Sequence, residues 1–108
     1  MSSILEDDLK NRRRAKRINR ALQVTALDHQ QRRLLSVALN VSATGARLVL
    51  TKPCPESFTV EFDAHTRVLA RPVWRRALQR SQVVGVQFDF RSEAERRQVF
   101  AFLQRLAA

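Results

Sequence analysis

A chain of 108 residues with 44% apolar composition can bury one hydrophobic core and has little room for a second. Twenty Lys and Arg against ten Asp and Glu give +10, with seventeen arginines to three lysines, and such a surplus draws phosphates, nucleotides and acidic surfaces. No apolar run approaches the about 18 residues of a membrane span and no secretory signal is visible, so the expectation is a cytoplasmic protein without membrane insertion.

In chain order, the first twenty residues divide by sign. Glu6, Asp7 and Asp8 come first, and Lys10, Arg12, Arg13, Arg14, Lys16, Arg17 and Arg20 follow. Ser3 and Glu6 have capping-box spacing, and acids before bases suit a helix dipole, so a short helix near residues 4–10 is expected. The basic run beyond it has few apolar residues to anchor it and reads as an extended arm.

From residue 21 the pattern turns to strands. ALQVTAL, a turn at DHQQ, RRLLSVAL, a polar loop, and ARLVLT follow one another, and KPCPES with Pro53 and Pro55 breaks the series. In FTVEFD the apolar positions Phe58, Val60 and Phe62 alternate with Thr59, Glu61 and Asp63. TRVLARPVWRR holds Pro72, the sign of an edge, bend or bulge. VVGVQFDF sets Val84, Val86, Phe88 and Phe90 against Gly85, Gln87 and Asp89.

The chain closes on a helix. Ser92 and Glu95 form a second capping box, and Val99, Leu103 and Leu106, with Phe102 beside them, make one apolar stripe. Six strands and one helix predict a small antiparallel β-barrel with the helix over an open end. Residues 1–20 form the N-terminal segment and basic arm, and 21–108 the barrel and helix, one domain overall.

Catalytic chemistry finds little to work with. His29 and His65 are far apart in sequence, each beside an Asp in an expected turn, and lack metal-ligand spacing with each other or with Cys54. Cys54, the lone cysteine, sits between prolines with no evident base. No phosphate-cradling glycine motif is present. The expectation is a binding protein, not an enzyme, without cofactor or metal. A nucleic-acid binder fits the charge, but the chain has no tyrosine and its aromatics fall mostly at core positions, so no stacking platform is visible.

Two motifs carry more. The arm contains Arg13-x-x-x-Arg17, and the polar loop reads Asn40-x-Ser42-x-x-Gly45. Together, in this order, with Val73-Trp74 ending one strand and Gly85-Val86-x-Phe88 in a later one, they resemble the PilZ domain family, the bacterial receptors for cyclic di-GMP. The resemblance covers about residues 11–105. It implies a six-stranded antiparallel split barrel with a C-terminal α-helix and a ligand, cyclic di-GMP, bound singly or as an intercalated pair. By the same resemblance Arg13 and Arg17 would grip guanine edges or phosphates, with Arg12 beside them. Asn40 would meet a guanine edge, Ser42 a phosphate or its own loop, and Gly45 would allow a turn. Trp74 would lie near the guanines or in the core, and Arg14, Arg47 and Arg71 are peripheral candidates. Output would run through a downstream protein partner, with ordering of the arm altering the surface offered to it. Two alternatives stay open: a basic nucleic-acid-binding barrel, and a PilZ-like interaction module without ligand. The chain is read as a monomer or homodimer, Phe100 lying off the helix's main stripe.

Overall fold

The computed structural model describes residues 20–51 and 53–107, apart from the side chain of Leu35. The expected helix near residues 4–10 and the basic arm with Arg12, Arg13, Arg14 and Arg17 lie outside the described residues. Six strands follow: β1 (Leu22–Leu27), β2 (Arg33–Val41), β3 (Gly45–Leu50), β4 (Phe58–Asp63), β5 (Thr66–Ala77) and β6 (Gln82–Asp89). They close into an antiparallel barrel in the order β1-β2-β3-β6-β5-β4. Helix α1 (Glu93–Ala107) completes the chain. The six-stranded barrel with a C-terminal helix is the architecture expected from the sequence.

Alternation builds the core. Phe58, Val60 and Phe62 on β4 are buried while Thr59, Glu61 and Asp63 are half-buried toward the outside. Leu48, Leu50, Val68, Val84, Val86 and Phe88 fill the same interior from neighbouring strands. Each such side chain contributes about 1.5–3 kcal/mol when fully withdrawn from water. Ser36 and Thr66 are the polar side chains buried among the described residues, and the Ser36 hydroxyl donates to the Val49 carbonyl at 3.0 Å.

The helix seals one end of the barrel. Val99 and Leu103 are fully buried, and the Phe102 ring stands 5.1 Å from Phe62, which makes an edge contact with Phe88 at 5.9 Å. At its N-terminus the capping box forms: the Glu95 N–H donates to the Ser92 hydroxyl at 3.1 Å. The Glu95 carboxylate accepts in return from the Arg91 N–H at 3.2 Å, one residue before the cap.

Two irregularities shape the outer surface. Pro72 stays within β5, paired with Val86, and a bulge falls between it and Trp74. It is tolerated because β4 pairs with β5 only as far as Ala70, leaving the far side of β5 an edge. A second bulge between Ala38 and Asn40 carries β2 on to Val41. Strand therefore replaces much of the expected polar loop: Asn40 pairs with Arg47, Val41 with Ala46, and only residues 42–44 connect β2 to β3.

Candidate functional site

The connection at residues 42–44 is held by one side chain. The Ser42 N–H donates to the Gly45 carbonyl at 2.8 Å, and the Ser42 hydroxyl accepts the N–H groups of Thr44 and Gly45, each at 3.2 Å. The same hydroxyl lies 3.2 Å from the Gly45 carbonyl and 3.3 Å from the Thr44 hydroxyl. Its hydrogen-bonding capacity is thus spent within the loop. The Thr44 carbonyl accepts from the Phe88 N–H at 2.9 Å, which ties the turn to β6.

Gly45 has no positive φ; the one described residue that has is Gln31. Its lack of a side chain serves another purpose than the expected turn. A Cβ at this position would collide with the Val86 carbonyl oxygen on the paired strand. Close approach of two backbones, not a left-handed conformation, is what calls for glycine here.

Beside the turn runs a row of residues set by strand register. Asn40 lies opposite Arg47, Arg47 opposite Gly85, and Gly85 opposite Trp74. The row faces outward, since the next one inward, Leu48 and Val84, is fully buried. The Trp74 indole covers Gly85, whose missing side chain leaves it room. The Arg47 guanidinium lies 5.7 Å from the indole centroid, a cation–π distance. Trp74 is nevertheless 44% exposed, so it is a surface platform and not a core residue.

These elements enclose an open cleft of about 300 Å³, lined among others by Asn40, Ser42, Gly45, Arg47, Trp74 and Gln87. Val73, Trp74, Gly85, Val86 and Gln87, all remote in sequence from the turn, are therefore brought to it by the β3–β6–β5 ladder. Arg47 has no carboxylate partner among the described residues, so the cleft carries positive charge. Arg71 stands apart from the lining. Its guanidinium is hydrogen-bonded to Asp89 and Gln87, both at 3.3 Å. Gln87 escaped the sequence reading because its outward position was evident but its pairing with Gly45 was not. In the sequence Gly85 belongs to an alternating strand and to the Gly85-Val86-x-Phe88 pattern, neither of which marks it as the seat of Trp74, although a glycine inside a strand is itself a sign of close approach.

A second open groove, about 480 Å³, lies between the residues after β3 and the end of the β5–β6 hairpin, with Cys54, Arg75, Leu78 and Arg80 in its walls. Burial pushes the Cys54 thiol above its ordinary 9.0, against the pull of the nearby Arg75 guanidinium. Among the described residues no group of three His, Cys, Asp or Glu side chains could hold a metal ion, and no helix is long and apolar enough to cross a membrane.

Two of the solved structures that resemble this one are a PilZ domain and an inhibitor of motility. The crystal structure of the PilZ domain of CeSA from a cellulose-synthesizing bacterium superposes with a TM-score of 0.66 at 14% identity, covering 85% of this chain and 98% of that one. The Bacillus subtilis inhibitor of motility (MotI/DgrA) gives 0.59 at 16% identity, over 84% of this chain and 48% of that one. At such identities the likeness is one of fold. No curated protein matches the sequence. The family model described as the PilZ domain matches residues 11–105, nearly the full length, and the chain belongs to that family of cyclic di-GMP receptors.

Proposed function

We propose that this PilZ domain is itself a receptor for cyclic di-GMP, held between the outward cleft and the basic arm. The observation that carries the reading is the cleft: one surface joins the Asn40-x-Ser42-x-x-Gly45 turn to an exposed tryptophan backed by Arg47, an arginine with no carboxylate partner among the described residues. A dianion with two guanines needs positive charge, hydrogen-bonding groups for base edges, and a flat apolar face. Arg47 supplies the first, Asn40 and Gln87 the second, and Trp74 the third. Arg13 and Arg17, joined to β1 through Arg20, bring the forks that bond guanine N7 and O6 or phosphate oxygens, with Arg12 and Arg14 supplementary. Ser42 acts through the turn it braces, since its hydroxyl is already engaged there. Arg71, bonded to Asp89, is the least available of the candidates.

Magnitudes allow this. Four hydrogen bonds to charged groups at about 1.5–3 kcal/mol each give about 6–12 kcal/mol gross. Lost rigid-body freedom and ordering of the arm oppose it by about 4–15 kcal/mol. Stacking on Trp74 adds about 1–3 kcal/mol per base, so an affinity near 1 μM, about −8.2 kcal/mol, is within reach. The protein works as a cytoplasmic adaptor without catalysis: the bound arm alters the surface offered to a downstream protein.

Isothermal titration with cyclic di-GMP, on the wild type and on Arg13→Ala/Arg17→Ala, tests the reading. Saturable heat that disappears in the double variant supports it, and the stoichiometry distinguishes one ligand from an intercalated pair. No heat from the wild type would overturn it in favour of an interaction module without ligand.

A further inference from the structure

One strip of the outer surface is unexplained by the barrel and by the cleft. The next outward row beyond Trp74 reads, by register, Gln23, Val37, Val49, Val83 and Arg76 across five strands. Three valines stand side by side facing away from the core. Val37 is 39% exposed, and Leu39, next along the same face of β2, is 38% exposed. The rim is basic, with Arg47 on one flank and Arg76 at the end, and neither has a carboxylate partner among the described residues. Of the other large exposed apolar side chains, Val73 and Trp74 line the cleft, and Leu78 at the hairpin turn and Phe100 on the helix are single exposures of an ordinary kind.

We propose that this valine row is the docking surface for the chain's own residues 4–9. That segment reads Ile-Leu-Glu-Asp-Asp-Leu, and it holds the sequence's one run of three consecutive acids, flanked by three aliphatic side chains. Its chemistry complements the row: aliphatic groups against valines, carboxylates against Arg47 and Arg76, which have no carboxylate partner among the described residues. Reach is sufficient. Leu22 and Arg75 share one register row through Ala38, Leu48 and Val84, four strand spacings or about 19 Å along the sheet. Eleven peptide steps separate Leu9 from Arg20 and extend to about 36–40 Å. A segment tethered this closely has an effective concentration on the order of millimolar, so its own barrel outcompetes a second copy.

Docking needs no ligand. It does stretch residues 10–19 across the outer face and over the row from Asn40 to Trp74. If the receptor reading of that row holds, docking pre-positions the arginine motif above the cleft.

The test is paramagnetic relaxation enhancement on the full chain without ligand. The chain carries Cys54→Ser (or Cys54→Ala should the first not fold) and a nitroxide on Ser3→Cys. At low ionic strength the methyl signals of Val37, Val49 and Val83 should be lost, and should return in Glu6→Lys/Asp7→Lys/Asp8→Lys, in Arg76→Glu and at high salt. Valine signals that persist beside the wild-type segment would overturn the proposal, as would signal loss confined to another face. A mixture of isotope-labelled chain and separately spin-labelled chain gives the last control. Broadening there would make a second copy the occupant and the proposal wrong.

Discussion

The indole of Trp74 occupies the space that a side chain at Gly85 would need. A Cβ on Gly85 would meet Nε1 and Cε2 and come within 2.8 Å of Cδ1. The two residues are partners in the β5–β6 ladder, just past the bulge that follows Pro72. The bulge re-aims Trp74, and the missing side chain receives it. Replacing Gly85 by alanine should therefore lift the indole out of its seat beside Arg47. We expect a loss of about 1–3 kcal/mol, the usual range for overpacking, together with a changed tryptophan emission maximum. Trp74 is the chain's single tryptophan, so the spectrum reports this site alone. An unchanged spectrum with full stability would show that the indole can sit elsewhere at no cost.

The Ser42 hydroxyl is the brace of the β2–β3 turn, accepting the N–H groups of both Thr44 and Gly45. Alanine there leaves two donors to find water. Because the loop is only partly buried, the expected cost is at the lower end of about 1–3 kcal/mol, read as a shift of the urea midpoint with the slope unchanged. Amide exchange should quicken at Thr44, Gly45 and Phe88, the last because its N–H is held by the Thr44 carbonyl. Loss of stability without faster exchange at those positions would place the brace elsewhere.

The sequence made the strands legible because their burial alternates with period two, as Phe58, Val60 and Phe62 show. The helix was legible from its capping box and the stripe through Val99 and Leu103. What periodicity carries no trace of is register across strands. Nothing local places Gln87 opposite Gly45, or Trp74 opposite Gly85, because those distances are set by two bulges and a ladder. The extent of the Asn40 loop was misjudged for a related reason. An extra residue at the bulge after Ala38 lets a polar stretch continue as strand. Gly45 looked like a turn residue because the strand that crowds it, at Val86, arrives 41 residues later.

Acid should loosen the barrel at the end the helix closes. Partial burial pushes the Asp63 carboxyl upward, but hydrogen bonds from the His65 N–H and from Thr66, with Arg105 nearby, outweigh it and hold the group below its ordinary 3.8. Arg105, reaching from α1, lies 3.5 Å away, so the carboxylate links β4 to the helix. A group depressed on folding contributes stability above its unfolded value and loses it as pH falls through the folded one. The midpoint of thermal unfolding should thus be flat from neutrality to about pH 5 and decline below about pH 4. In Asp63→Asn the decline should be shallower, with a lower starting stability. Equal slopes in the two proteins would remove Asp63 from the account.

Arg47 and Arg71 both sit on the outer face near the cleft, and they should answer differently to removal. Arg47 faces Trp74 and has no carboxylate partner among the described residues, which leaves its charge for an anion. Arg71 is already paired with Asp89 at 3.3 Å and bonded to Gln87. On the receptor reading, Arg47→Ala removes a hydrogen bond to a charged ligand, about 1.5–3 kcal/mol, which is about tenfold or more in affinity. Arg71→Ala frees Asp89 and Gln87 and removes no ligand contact, so its effect should stay well under tenfold and come mainly from the released negative charge. Raising the salt should therefore narrow the Arg71→Ala difference, since exposed charges are screened, while leaving most of the Arg47→Ala loss in place. Titrations of cyclic di-GMP at two ionic strengths on both variants decide it. The reverse order of losses would mean that the ligand engages the Arg71 side of the cleft and breaks the Asp89 pair to do so.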